Sequence, residues 1–230
     1  MSGAAGAAAG PLAGGLGERG GYRIAVVGAT GAVGTVMLQC LAERGLDRDN
    51  ELIPFASARS AGQVVGGRTV RALAEGADLG GIDIALFSAG AGTSRQWAPR
   101  FVQAGATVID NSSAFRRDPD VPLVVSEVNP QALERHAGLI ANPNCSTMQL
   151  MVALAPIQRE AGIARLVVST YQSVSGTGRR ELAQLDAEAR ASLAGEPAPA
   201  PVGYPDQIAF NVIGAAGNFA PGDDHTDEER

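Results

Sequence analysis

The stretch Arg23-Ile24-Ala25-Val26-Val27-Gly28-Ala29-Thr30-Gly31-Ala32-Val33-Gly34 constrains the fold more than any other part of the chain. Its first five residues are an apolar run of the length and composition of a buried strand. A glycine-rich turn follows at once, and then Val33, Val36, Met37, Cys40 and Leu41 recur at helical spacing. This stripe puts Cys40 on the inner face of the helix, as a core residue. The helical pattern fades at Arg44-Gly45, and Glu51 to Ala56 reads as a second strand. Strand, glycine turn, helix, strand is the opening unit of a dinucleotide-binding fold. The glycines let the backbone approach a pyrophosphate at the helix N-terminus.

The end of the second strand discriminates between cofactors. An acidic side chain there suits the ribose 2′-hydroxyl of NAD, and a cation suits the 2′-phosphate of NADP. The chain has no carboxylate between Glu51 and Glu75 but offers Ser57, Arg59 and Ser60, so NADP(H) is the expected cofactor. A further strand, Ile82 to Phe87, ends in the small-residue loop Ser88-Ala89-Gly90, on the nicotinamide side of such a cleft. A helix around residues 94–103, a strand at 106–110, another near 121–125, a helical turn at 130–135 and a strand at 138–141 follow. Alternation of this kind gives a doubly wound parallel sheet. The polar turn Asn111 to Arg117 carries two guanidinium groups, and Arg116 is the better placed of them for an anionic substrate group.

The sheet then runs into Asn142-Pro143-Asn144-Cys145-Ser146-Thr147. Pro143 keeps the chain out of helical geometry, and from Ser146 the spacing of Met148, Met151, Leu154 and Ile157 is helical. Cys145 therefore falls at or just before a helix N-terminus, where unpaired N–H groups favour a thiolate and can stabilise an oxyanion beside it. The other reading of a lone cysteine is a buried structural residue. Two cysteines far apart give neither a metal-ligand spacing nor a disulfide framework, so no metal and a reducing cytoplasm are expected. All 18 basic side chains are arginine, which excludes a Schiff base on this chain. A net charge of −6 without a basic stripe argues against nucleic acid, and no apolar run approaches the length of a membrane span.

Residues 1–21, mostly glycine and alanine, read as a disordered tail; 22–145 as the NADP-binding domain; 146–230 as a partial catalytic/dimerisation domain. In the last, residues 163–172 alternate as a long strand that ends in the loop Gln172 to Gly178. A helix over 179–193, a Pro/Ala-rich stretch and one more strand at 208–213 follow. Thr226-Asp227-Glu228-Glu229 is a capping box with no helix behind it, so the chain reads as cut short, with an unpaired strand and an exposed apolar face. The expected class is α/β: a Rossmann-type doubly wound parallel sheet followed by an incomplete α+β domain.

GATGAVG at 28–34, SARSAG at 57–62, SAG at 88–90, DNSSAFR at 110–116, NPNCST at 142–147 and YQSVSGTG at 171–178 occur in this order. Together they resemble the aspartate-semialdehyde dehydrogenase family, from Tyr22 to Arg230. The resemblance implies an NADP-dependent, reversible reductive dephosphorylation of aspartyl phosphate to aspartate semialdehyde and phosphate, in lysine, threonine and methionine biosynthesis, by a homodimer. It implies Cys145 as nucleophile and Gln172 as the residue that positions the reacting group or a water. Gly28, Thr30, Gly31, Ala32 and Val33 match the pyrophosphate loop, with Ser175 and Gly176 also on the cofactor side. Arg116 and Asn144 match phosphate-holding groups, and Glu228 an acidic residue near the substrate amino group. The family's acid/base histidine, substrate-carboxylate arginine and phosphate-binding lysine have no counterpart here; His136 and His225 read as solvated surface histidines. Low or no turnover by these 230 residues is therefore expected. Two rival readings are an N-acetyl-gamma-glutamyl-phosphate reductase-like enzyme, disfavoured by NPNCST and GATGAVG, and a non-catalytic NADP-binding fragment.

Overall fold

The computed structural model describes residues 20–214, 217, 222 and 224–226. Glu228 and residues 1–19 lie outside them. The chain divides into two compact units, Met1–Arg165 and Leu166–Arg230.

The first unit opens with β1 (Arg23–Val27), α1 (Ala32–Glu43) and β2 (Glu51–Ala56), then a hairpin of β3 (Val64–Val65) and β4 (Arg68–Thr69). It continues through β5 (Arg71–Ala72), β6 (Ile84–Phe87), α2 (Ala91–Gln103), β7 (Thr107–Asp110), β8 (Leu139–Ala141) and α3 (Cys145–Glu160). Six strands form one parallel sheet in the order β5-β2-β1-β6-β7-β8. β1 lies inside it and is apolar on both faces, as parallel strands covered on two sides are. Ile24 and Val26 pack with Leu38 of α1 and Leu52. Ala25 and Val27 point the other way, into a core with Ile53, Phe55, Phe87, Val108 and the α2 residues Trp97 and Phe101. Phe101 sets its edge against both Phe55 and Phe87, with centroids 5.8 and 5.2 Å away. Helices thus cover both faces, and the doubly wound sheet is present as expected.

The contact line of α1 differs from the apolar stripe read in the sequence. Its buried residues are Gly34 and Leu38, while Val33 and Val36 are 40% and 53% exposed and Cys40 is exposed rather than core. Close approach at Gly34 fixes which side of the helix faces the sheet: a Cβ there would lie 2.1 Å from the Gly28 carbonyl oxygen. Gly34→Ala is therefore expected to destabilise the first unit by about 1–3 kcal/mol, the usual cost of overpacking. The measurement is the urea midpoint of the full chain, and an unchanged midpoint would contradict the contact.

The strand expected near 121–125 is reduced to one bridge, Leu123 to Ala141. Pro122 accepts from the Ala141 N–H at 3.0 Å but has no N–H to return, which stops the ladder there.

In the second unit, α4 (Arg179–Ala194) forms as expected. Neither strand read at 163–172 nor that at 208–213 does. Alternation encodes two faces but not a neighbour, and among the described residues nothing pairs with 163–172. Val167 and Tyr171 are 76% and 90% exposed. At 208–213 the chain instead turns at Ala209-Phe210, with Phe210 at φ +56°. The three apolar core clusters of the described residues all belong to the first unit. Among the described residues no helix is long and apolar enough to cross a membrane.

Candidate active site

The parallel register brings the ends of β1, β2 and β6 level, with Val27 opposite both Phe55 and Phe87. The turn after β1 is pinned there, since the N–H groups of Gly28 and Ala29 donate to the Phe55 carbonyl at 2.9 and 3.0 Å. Gly28 adopts φ +88°, and a Cβ on it would lie 2.3 Å from the Ser88 carbonyl oxygen and 3.1 Å from the Ala89 Cα. The Gly28 turn and the Ser88-Ala89-Gly90 turn therefore touch. They meet between β1 and β6, where the chain winds away in both directions and α/β sheets take their ligands. Gly31 precedes α1 without a side-chain cap, so the first-turn N–H groups of Ala32 and Val33 are not blocked by one. The Thr30 hydroxyl lies 3.5 Å from that of Ser60, joining this turn to the loop after β2. In that loop Ser57 precedes a short 3-10 turn, Ala58–Ser60. Arg59 is exposed and makes no ion pair or hydrogen bond among the described residues.

The neighbouring strand ends hold the cysteine turn. The Asn142 N–H donates to the Asp110 carbonyl at 2.8 Å, carrying the sheet one residue past β8. Asn144 then caps α3: its Oδ1 accepts from the N–H groups of Ser146 (2.8 Å) and Thr147 (3.3 Å) and from the Ser146 hydroxyl (2.5 Å). Cys145 is the first residue of the helix, and it is exposed. Cys145 is therefore not buried among the described residues. The Asn144 cap narrows the oxyanion site expected at this terminus, because the Ser146 and Thr147 N–H groups already have a partner. The N–H of Cys145 itself has none among the described residues.

Arg116 ties the two turns together. Its Nε donates to the Asn142 carbonyl at 2.9 Å and its terminal nitrogen to the Asn111 carbonyl at 3.2 Å. A guanidinium has five donors, so these bonds orient the group while leaving capacity for an anion. One residue before Asn111 stands a residue that sequence reasoning missed. Asp110 is fully buried and accepts from the Ser94 hydroxyl (2.7 Å), the Ser112 hydroxyl (2.7 Å) and the Ser112 N–H (3.2 Å). The Asp-Asn-Ser-Ser order was the available signal, since an aspartate commonly binds the backbone two residues on.

In the second unit Gln172 is exposed, and Ser175 and Gly176 are exposed in the 3-10 turn Val174–Gly176. The Ser173 hydroxyl, 2.9 Å from that of Ser175, shapes this turn. Of the histidines, His136 accepts through Nδ1 from the Gly138 N–H at 3.1 Å.

A parallel sheet with a glycine turn at its switch point, beside a helix that opens on an exposed cysteine, defines a dinucleotide-binding α/β protein equipped with a thiol. Two family models match the chain: the semialdehyde dehydrogenase NAD-binding domain over residues 23–136 and the semialdehyde dehydrogenase dimerisation domain over 154–230. The chain belongs to the semialdehyde dehydrogenase family. It is 52% identical over 199 residues to the aspartate-semialdehyde dehydrogenase of Aquifex aeolicus, covering 84% of this chain and 58% of the relative. It is 50% identical over 220 residues to that of Streptomyces akiyoshiensis, covering 90% and 64%. Among solved structures, aspartate semialdehyde dehydrogenase II of Vibrio cholerae, complexed with ASA, superposes with a TM-score of 0.83 at 45% identity. That match covers 91% of this chain and 63% of the other. The chain thus spans about three fifths of the length of the curated relatives it matches.

Proposed function

We propose that the chain carries the cofactor crevice and the nucleophile of an NADP-dependent aspartate-semialdehyde dehydrogenase. The observation that supports this most is the placement of an exposed cysteine at the first position of α3, with Arg116 hydrogen-bonded into the same turn. The names of relatives about half identical to it point the same way.

The residues fit a dinucleotide. Gly28 lets the turn after β1 pack directly on the Ser88-Ala89-Gly90 turn, and the start of α1, without a side-chain cap, would face a pyrophosphate. Arg59 stands where a 2′-phosphate would be read, and Ser57 and Ser60 flank it. Ser88, Ala89 and Gly90 border the crevice, and Ser175 and Gly176 are assigned to the same cofactor.

In this mechanism the Cys145 thiolate attacks the acyl carbon of aspartyl phosphate, and the carbon–oxygen bond to phosphate breaks, leaving a thioester. When bound, NADPH supplies the hydride that reduces this thioester. The resulting thiohemiacetal on Cys145 collapses to the semialdehyde and regenerates the thiolate. A thioester accepts hydride more readily than a carboxylate ester, which is the reason for sulfur at this position. The Cys145 N–H is directed to the oxyanion of both addition steps. Arg116 holds the phosphoryl group, and Asn144, whose oxygen caps α3, is assigned to the same group. Gln172 orients the acyl group, and Glu228 is assigned to the substrate ammonium. No proton-transfer role falls to His136, and slow turnover by this chain is expected, because a positioned acid/base is worth about two to four powers of ten. The dimerisation-domain match and two free thiols support a homodimer in a reducing cytoplasm.

The cofactor assignment is tested by titrating NADP and NAD into the protein and into Arg59→Ala. Loss of one charge-assisted contact, about 1.5–3 kcal/mol, weakens NADP binding by about tenfold to a hundredfold and leaves NAD unchanged. Equal effects on both cofactors would remove Arg59 from the 2′-phosphate.

A further inference from the structure

Two polar side chains one turn apart on α4 are almost wholly buried, Gln184 at 3% exposure and Glu188 at 0%. They take the place of an apolar core in this part of the second unit. Gln184 Oε1 accepts from the backbone N–H groups of Val202 (3.0 Å), Gly203 (2.6 Å) and Tyr204 (2.9 Å). Its Nε2 donates to Glu188 Oε1 at 2.7 Å and to the Asp206 carbonyl at 3.1 Å. Glu188 Oε2 accepts from the N–H groups of Ile208 (2.8 Å) and Ala209 (2.9 Å). The segment 202–209 is thus strapped along α4 through its own backbone. Its packing is close, as a Cβ on Gly203 would lie 2.8 Å from the Glu181 Cγ. Tyr204 passes the restraint on, its hydroxyl lying 2.8 Å from that of Thr177 in the loop that carries Ser175 and Gly176.

The donors and acceptors of this set admit one protonation state. Three N–H groups fix the orientation of the Gln184 amide, so its nitrogen presents only donors to Glu188. The strap also presents only donors, at Ile208 and Ala209. Every group bonded to Glu188 donates, and residue 188 must accept at both oxygens. An ionised carboxylate does so; a protonated one, or a glutamine, places a donor against a donor. We propose that Glu188 is an acid-released latch: as a carboxylate it holds the 202–209 strap on α4, and its protonation frees the strap and the Thr177 loop tied to it.

Burial pushes the Glu188 carboxyl up, but the hydrogen bonds from Ala209, Gln184 and Ile208 together outweigh it and hold the carboxyl below its ordinary value. The sign follows: a lowered folded value gives stability that is full above the unfolded carboxyl range and is lost as pH falls through the folded value. The other titratable groups on the packed elements are Arg179, Arg180, Glu181, Asp186 and Arg190 of α4 and Tyr204 and Asp206 of the strap. Asp186 and Arg190 pair with each other at 2.8 Å on the exposed side. Glu181 lies against Gly203, and Asp206 contributes its backbone carbonyl. Glu196, Asp224 and His225 are titratable groups of the adjoining segments. The latch is argued from hydrogen bonds within the second unit, so its test needs no turnover.

The test is amide hydrogen exchange of the full chain across the acid range, corrected for intrinsic rates. Protection of Val202, Gly203, Tyr204, Ile208 and Ala209 is expected to fall about tenfold per pH unit below the Glu188 titration, the slope of one coupled proton. Protection of Ile24 to Val27 in β1 should hold over the same interval. Glu188→Gln should lose strap protection at all pH values and with it the pH dependence. Strap protection independent of pH in the unaltered chain, full protection in Glu188→Gln, or a loss shared equally by β1 would overturn the latch. Should Glu188→Gln fail to fold, the pH series on the unaltered chain still decides.

Discussion

Cys145→Ala is expected to abolish the NADP-linked oxidation of aspartate semialdehyde proposed for this chain, and Cys40→Ala to leave it unchanged. Removing an enzymic nucleophile costs about six powers of ten in turnover, so the alanine variant should be indistinguishable from the protein-free blank. Cys40 supplies the internal control. Both thiols are exposed, so a rate that depended only on an accessible thiol would respond to either change. What separates them is local geometry. Cys145 starts α3 with its own N–H unpartnered among the described residues, whereas Cys40 lies in the last turn of α1, where the helix dipole disfavours negative charge. A steady-state assay of the three proteins settles the matter, and a rate in Cys145→Ala above the blank would remove the thioester from the account.

Arg116→Lys is the second large effect. The guanidinium binds the Asn142 and Asn111 carbonyls at 2.9 and 3.2 Å and still has donors for an anion, while a lysine ammonium cannot span both carbonyls and a phosphoryl group. The expected result is a KM for phosphate raised about a hundredfold, equivalent to about 3 kcal/mol of charge-assisted hydrogen bonding, with a smaller fall in kcat. The split between the two constants carries the information. A lowered unfolding midpoint with an unchanged KM for phosphate would make Arg116 a tie between turns and nothing more.

The parts of this molecule that were legible in its sequence are those set by local rules. The apolar run of β1, its glycine turn and the Pro143 break before α3 act over a few residues, and they located both the crevice and Cys145. Features set by partners distant in the chain were not legible. The face of α1 is decided by the approach of Gly34 to Gly28, so Val33, Val36 and Cys40 could match a helical stripe and still lie outside. Residues 163–172 alternate like a strand, but a strand is made by its neighbour, and the described residues supply none. Asp110, Gln184 and Glu188 were passed over because polar residues count as surface in a periodicity argument. Each is buried here, with hydrogen bonds at both carboxylate oxygens or both ends of the amide.

The most direct test of the central claim is to trap the cysteine adduct. The protein is incubated with aspartate semialdehyde and NADP without phosphate, quenched in acid and examined by mass spectrometry. NADPH formation is followed in parallel. The account predicts one aspartyl group per chain on Cys145, a matching single equivalent of NADPH, and discharge of the adduct when phosphate is added. An unmodified Cys145 in protein that binds NADP, or an adduct on Cys40 instead, would contradict it.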